Sequence, residues 1–187
     1  GAFTGELSPP MLVGICEYVL IGHSERRTLF AEDDKLINKK VVAAESVGLN
    51  PILCVGETLN DRESDVTDQV LARQVKEGIK RLNNPQGLIV AYEPVWAIGT
   101  GKAATPSDSN AAISIIRRTV SKALGKDIGE AVRILYGGSV NPSNIIELMN
   151  EPEIDGVLVG GASLNAYDFY EIVSGALKAK NVRPCQG

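Results

Sequence analysis

Histidine is almost missing from this chain: His23 is the one histidine among 187 residues. A metal centre assembled from several imidazoles is therefore not encoded. Cysteine is nearly as scarce, and Cys16, Cys54 and Cys185 are odd in number and far apart, with no CxxC or CxxH spacing. That excludes a disulfide framework and a zinc site, fits a reducing cytoplasm, and leaves Cys54, inside an apolar run, as a small buried hydrophobe. No apolar run approaches the roughly 18 residues needed to span a bilayer, and the opening GAFTGELSPP lacks the basic and apolar regions of a signal peptide. Basic residues do not outnumber acidic ones, and a net charge of -4 leaves no footprint for nucleic acid. What remains is 44% apolar and 22% charged, an ordinary globular composition at a length suited to one sizeable domain. The expectation is a cytoplasmic protein without nucleic-acid or membrane partners.

Short apolar runs alternate with segments of helical spacing. Ser8-Pro9-Pro10 predicts an N-cap and a helix of about two turns towards Ile15, followed by a strand over Tyr18 to Ile21. After Gly22-His23-Ser24 comes a short polar helix. Asp33 or Asp34 caps the next one, whose apolar positions Leu36, Ile37, Val41, Ala44 and Val47 recur until Gly48. Pro51 to Val55 is a strand ending in Gly56-Glu57, and Val66, Val70, Val75, Ile79 and Leu82 mark a helix. Leu88 to Tyr92 is a strand, Thr105-Pro106-Ser107-Asp108 starts a long helix, and Arg133 to Tyr136 is a strand ending in Gly137-Gly138-Ser139. Asn141-Pro142 starts another helix, Gly156 to Val159 is a strand ending in Gly160-Gly161, and Asn165 caps a last helix to about Lys180. Five short strands, apolar on both faces and separated by helices, predict a parallel sheet with crossover helices.

The distinctive residues all follow strand ends. His23, Glu57, Glu93, Gly137 to Ser139 and Gly160-Gly161 would therefore converge on one face of such a sheet. Glu93 stands at the root of Pro94-Val95-Trp96-Ala97-Ile98-Gly99-Thr100-Gly101, an apolar loop between a rigid residue and two permissive ones. Ordinary loops are polar; one with Val, Trp and Ile gains by closing over something and excluding water. A lone strand-end glutamate is ordinarily a solvated acid, and it is this company that sets Glu93 apart.

The two glycine turns on the last two strands can offer backbone N–H groups to a phosphate at helix starts, and neither continues into the lysine of a nucleotide-binding P-loop. His23 precedes a helix N-terminus, which favours a neutral imidazole able to polarise a carbonyl. A carboxylate base, that imidazole and a phosphate site under a lid suit proton abstraction beside the carbonyl of a small phosphorylated substrate. Excluding water there protects an enediolate that would otherwise eliminate phosphate.

GAFTGE (Gly1 to Glu6), IGHSERR (Ile21 to Arg27), CVGE (Cys54 to Glu57), AYEPVWAIGTGK (Ala91 to Lys102), YGGSV (Tyr136 to Val140) and GVLVGGASL (Gly156 to Leu164) occur in the order and spacing of one family. Over essentially its whole length the chain resembles triosephosphate isomerase, itself the known example of a glutamate base paired with a neutral histidine. The resemblance implies a TIM (β/α)8 barrel, here partial, with residues 1–187 forming a single domain of strands four to eight and their helices. It implies Glu93 as the proton-shuttling base and His23 as the electrophile. It further implies Pro94 to Lys102 as the lid, and phosphate held by backbone N–H groups of Gly99, Ser139, Gly160 and Gly161. Tyr136 and Ser139 would help latch the closed lid. No metal or organic cofactor is implied, the substrate is a phosphorylated triose, and Thr4 resembles the residue that reaches into a partner's active site in a homodimer.

The family's first strand carries an asparagine and a lysine, and neither is in this sequence, which enters at the loop after the third strand. Five strands of eight cannot close a barrel, so two apolar edges stay unpaired. A pentose-phosphate epimerase-like barrel would need metal-ligand histidines that one histidine cannot supply, and a purely non-catalytic piece would have little reason to keep Glu93, His23 and the lid together.

Overall fold

A computed structural model describes residues 2–97 and 104–181. The strands are β1 (Tyr18–Ile21), β2 (Asn50–Val55), β3 (Ile89–Tyr92), β4 (Arg133–Tyr136) and β5 (Gly156–Val157), and they form one sheet in the order β1-β2-β3-β4-β5. Every neighbouring pair is parallel. The helices are α1 (Pro9–Leu12), α2 (Ser24–Leu29), α3 (Asp34–Glu45), α4 (Leu59–Glu63), α5 (Thr67–Gly78), α6 (Pro106–Leu124), α7 (Lys126–Ala131), α8 (Ile145–Asn150) and α9 (Ala166–Asn181), and those from α2 to α8 lie in the crossovers between strands. Parallel neighbours in sequence order put all five strand ends, and the loops that follow them, on one side.

Register explains where the core sits. Ile21, Leu53, Val90 and Ile134 are aligned across four strands and are all buried. They share one hydrophobic cluster with Ile37 and Val41 of α3, Leu71 and Val75 of α5, and Ile113 and Ile116 of α6. The adjacent row, Leu20, Ile52, Ile89 and Arg133, points to the opposite face and is less covered: Leu20 is 47% exposed. Burial on both faces therefore holds for β3, whose four residues are all buried, and fails at the edge strand β1.

Caps were the most legible feature. Asp33 accepts the Leu36 N–H, Thr105 accepts the Asp108 N–H, and Asn165 accepts the N–H groups of Tyr167 and Asp168. Several boundaries differ from expectation, and α5 ends at Gly78, short of Ile79 and Leu82. The first helix is one turn, Ser8 makes no side-chain cap bond, and Gly14, at φ 82°, turns the chain where a second turn was expected. Asn141-Pro142 opens a turn instead of a helix. The Asn141 side chain accepts the Ser143 and Asn144 N–H groups, and α8 begins only at Ile145. The last strand keeps two of its four expected residues.

The loop that contains Thr4 is tied down through Glu6, which pairs with Arg26 at 2.7 Å and Lys40 at 2.9 Å; both cations also hold the buried Glu32. Thr4 itself is exposed. Among the described residues no helix is long and apolar enough to cross a membrane.

Candidate active site

Gly22, at φ 79°, bends the chain out of β1 so that His23 becomes the N-cap of α2. Its Nδ1 accepts the Glu25 N–H at 3.3 Å, and its Nε2 lies 3.0 Å from Glu93 Oε1. With Nδ1 committed as acceptor, these partners assign the proton of the neutral ring to Nε2, where it faces the carboxylate. Arg27, one turn into the same helix, donates to the carbonyls of Gly22 (2.8 Å) and Cys54 (2.9 Å) and to Asp34 (2.8 Å). One guanidinium thus couples the ends of β1 and β2.

Glu93 follows β3 directly and is 2% exposed. Its N–H continues the sheet ladder to the Val55 carbonyl at 2.8 Å, and its Oε2 accepts the Ser24 N–H at 2.9 Å. Burial raises its pKa above the 4.5 of an ordinary glutamate, and His23 and the Ser24 N–H pull it only part of the way back. The two expected catalytic side chains, 70 residues apart in sequence, are therefore in hydrogen-bond contact, in a setting that makes the carboxylate a stronger base than a solvated one.

Glu57, fully buried just after β2, anchors the first residues of the expected lid. Its Oε1 accepts the Tyr92 hydroxyl (3.0 Å) and the Trp96 indole N–H (2.8 Å), while Arg62 stands 3.6 Å away and stacks 4.3 Å from the Trp96 ring centroid. Burial drives its pKa upward against those donors. Val95–Ala97 forms a single 3-10 turn held by these contacts. The rest of the expected lid, including Gly99, expected to hold phosphate, lies outside the described residues.

The two glycine turns are not equivalent. A Cβ on Gly137 would come within 3.1 Å of Glu93 Cγ, and one on Gly138 within 2.3 Å of the Tyr136 hydroxyl and 2.9 Å of Pro94 Cγ. The turn after β4 is thus glycine because Glu93, Tyr136 and Pro94 press against it. Gly160 and Gly161 have nothing within 4 Å of such an atom and no positive φ, and both are exposed, as is Ser139. Their bareness leaves an open approach to the backbone at the start of the 3-10 turn Gly161–Leu164.

Arg27 and Gln74 escaped the sequence reading. Gln74 belongs to the buried stripe Leu71, Gln74, Val75 and Gly78 of α5, and a polar residue on an apolar face at that spacing was the available signal. Cys54 behaves as expected, fully buried with burial pushing its thiol pKa up.

The family model for triosephosphate isomerase matches residues 1–176. The triosephosphate isomerase of Syntrophotalea carbinolica is 56% identical over 176 residues, covering 92% of this chain and 70% of that protein. Those of Moorella thermoacetica (56% over 177 residues) and Carboxydothermus hydrogenoformans (54% over 180 residues) are matched over 93% and 95% of this chain and 71% and 72% of their own lengths.

Proposed function

The chain belongs to the triosephosphate isomerase family, an isomerase family, and from that premise we propose that it carries the proton-transfer pair and the phosphate turns of an enzyme interconverting dihydroxyacetone phosphate and D-glyceraldehyde 3-phosphate. The observation that carries this reading is the 3.0 Å contact between His23 Nε2 and the buried Glu93 carboxylate, each at the C-terminal end of its strand. In the resting site, His23 and Ser24 donate to Glu93. A substrate carbonyl that takes the Nε2 proton donor for itself frees the carboxylate to reach the neighbouring carbon. Glu93 removes a proton there, the electron pair moves onto the carbonyl oxygen, and the enediolate is held by the Nε2–H. Through the His23 Nε2 position a proton passes from the neighbouring hydroxyl to that oxygen, moving the negative charge to the other oxygen, and return of the carbon proton from Glu93 to the adjacent carbon, with the new carbonyl closing, gives the other triose. Backbone N–H groups of Ser139, Gly160, Gly161 and Gly99 hold the phosphate, and Pro94 to Lys102 close over it. Thr4 meets a second copy of the chain in a homodimer.

The test uses this chain extended at its amino terminus by the first three strands of the Syntrophotalea carbinolica relative. Isomerisation with solvent deuterium appearing on the substrate carbon supports the reading; a folded chimera that does neither sinks it. In the same protein the acid limb of kcat/KM is expected above pH 4.5. The base must be charged to act, and burial, outweighing its two donors, makes it protonate earlier as pH falls. A limb at or below 4.5 contradicts the buried base.

Replacing Gly161 by Asp tests the phosphate assignment. Nothing lies within 4 Å of the new Cβ and the backbone angle is permissive, so the fold tolerates it. A carboxylate against a phosphate dianion is expected to raise KM at least about tenfold, with the thermal midpoint within a degree or two. An unchanged KM removes Gly161 from the site.

A further inference from the structure

Resting on the reading of Glu93 as the base, we infer that Gln74, a residue of α5 that touches neither His23 nor Glu93, is the positioning residue for that base, acting through the Gly56 peptide. The sheet ladder between β2 and β3 ends at the pair Val55 and Tyr92. Beyond it, Gly56 leaves the sheet with an N–H and a C=O that the ladder no longer serves. Gln74 takes both: its Oε1 accepts the Gly56 N–H at 2.8 Å and its Nε2 donates to the Gly56 carbonyl at 3.1 Å, in a buried setting with Gln74 7% exposed. A primary amide presents the donor and acceptor of a peptide, so this side chain extends the sheet by one residue.

That residue is the one against which Glu93 rests. A Cβ on Gly56 would sit 1.7 Å from the Glu93 carbonyl oxygen and 2.7 Å from its carbon, so the two backbones touch with no room between them. The Glu93 N–H meanwhile bonds to Val55, the residue before Gly56. The main chain of the base is thus seated on a step whose height is set by Gln74. This matters because the carboxylate must leave His23 and Ser24 and arrive at the substrate carbon by side-chain rotation alone. The arc it sweeps is only as accurate as the backbone it swings from.

The test is Gln74→Met, similar in size but without the paired hydrogen bonds, in the chain completed by the relative's first three strands. A misplacement on the order of 1 Å costs about 100-fold in rate, so kcat is expected to fall 10- to 100-fold. KM should stay within about twofold, because three of the four groups assigned to the phosphate, Ser139, Gly160 and Gly161, follow other strands. Amide hydrogen exchange on the same protein, which does not depend on turnover, is expected to quicken at least about tenfold at Gly56 and Glu93, with Val90 and Ala91 unchanged. Wild-type kcat, a loss expressed only in KM, or unaltered exchange at the Glu93 amide would each overturn the inference. Wild-type turnover tests the base itself, and exchange tests the step even where turnover is absent. If Gln74→Met does not fold, Gln74→Glu, which retains an acceptor for the Gly56 N–H, decides by the same measurements: a smaller fall in kcat at constant KM supports the role, and wild-type values reject it.

Discussion

Glu93→Gln in the completed barrel is expected to lower kcat by about 10³-fold or more, within the range of general acid–base catalysis, while the protein melts no lower than wild type. The two halves of that expectation have separate causes. The amide keeps the size of the carboxylate and retains an oxygen for the Ser24 N–H, yet it has no basicity with which to take a carbon-bound proton. The native carboxylate carries a cost in the fold, because burial raises its pKa above the value it has in the unfolded chain. The folded state therefore binds that proton more tightly than the unfolded state. The stabilisation linked to it is full below the unfolded pKa and disappears as pH rises through the folded one. At neutral pH an uncharged replacement escapes this cost, losing in exchange one favourable contact with His23. A variant that is both inactive and markedly less stable would mean that Glu93 is a structural acid. One that is stable and active would remove it from the mechanism. KM is the companion measurement and is expected to move little, since Glu93 is not among the groups assigned to the phosphate.

What could be read in advance divides along a physical line. Caps, strand cores and strand ends are decided by residues close in sequence, and Asp33, Thr105 and Asn165 all cap the helices they were expected to cap. Convergence of His23 and Glu93 followed from topology alone, because parallel strands in sequence order put their C-terminal ends together. Short elements were harder. Thr58 and Asp61 form a reciprocal cap on the five-residue α4, and α7 spans six residues, too few for periodicity to register. The roles of Arg27, Gln74 and the Gly137-Gly138 pair depend on contacts across 18 to 44 positions, which no local pattern announces. The two glycine turns have the same composition, yet in one the missing side chains make room for Glu93 and Pro94, and in the other they leave open space.

A polypeptide of just these 187 residues is expected to be aggregation-prone, and at least about 10³-fold less active than the completed barrel because the geometry that supports general base catalysis is not held. Among the described residues the sheet order leaves β1 and β5 each with one unpaired edge. On β1 the face turned away from the helices exposes Tyr18 at 40% and Leu20 at 47%, so that edge is both hydrogen-bonding and apolar. At the other end β5 is two residues long, and the α9 helix beside it exposes Tyr167, Tyr170, Val173 and Leu177 at helical spacing. Those two surfaces lie at opposite ends of the five-stranded order, so one segment of strands laid between them would cover both and close the sheet on itself. The relatives have the length for it, since this chain spans about 70% of them. The helix-facing core, by contrast, is complete: Ile37, Leu53, Leu71, Val90, Ile113 and Ile134 are fully buried, enough to keep secondary structure without keeping the loops in register. Gel filtration and urea titration of the chain alone, then with the relative's first three strands supplied in trans, distinguish the possibilities. Polydispersity that resolves, together with isomerase activity appearing only on addition, is the expected result. A compact monomer with a cooperative transition and unassisted activity would mean that β1 and β5 tolerate their open edges, and that the oxyanion is stabilised without the lysine of the family's first strand.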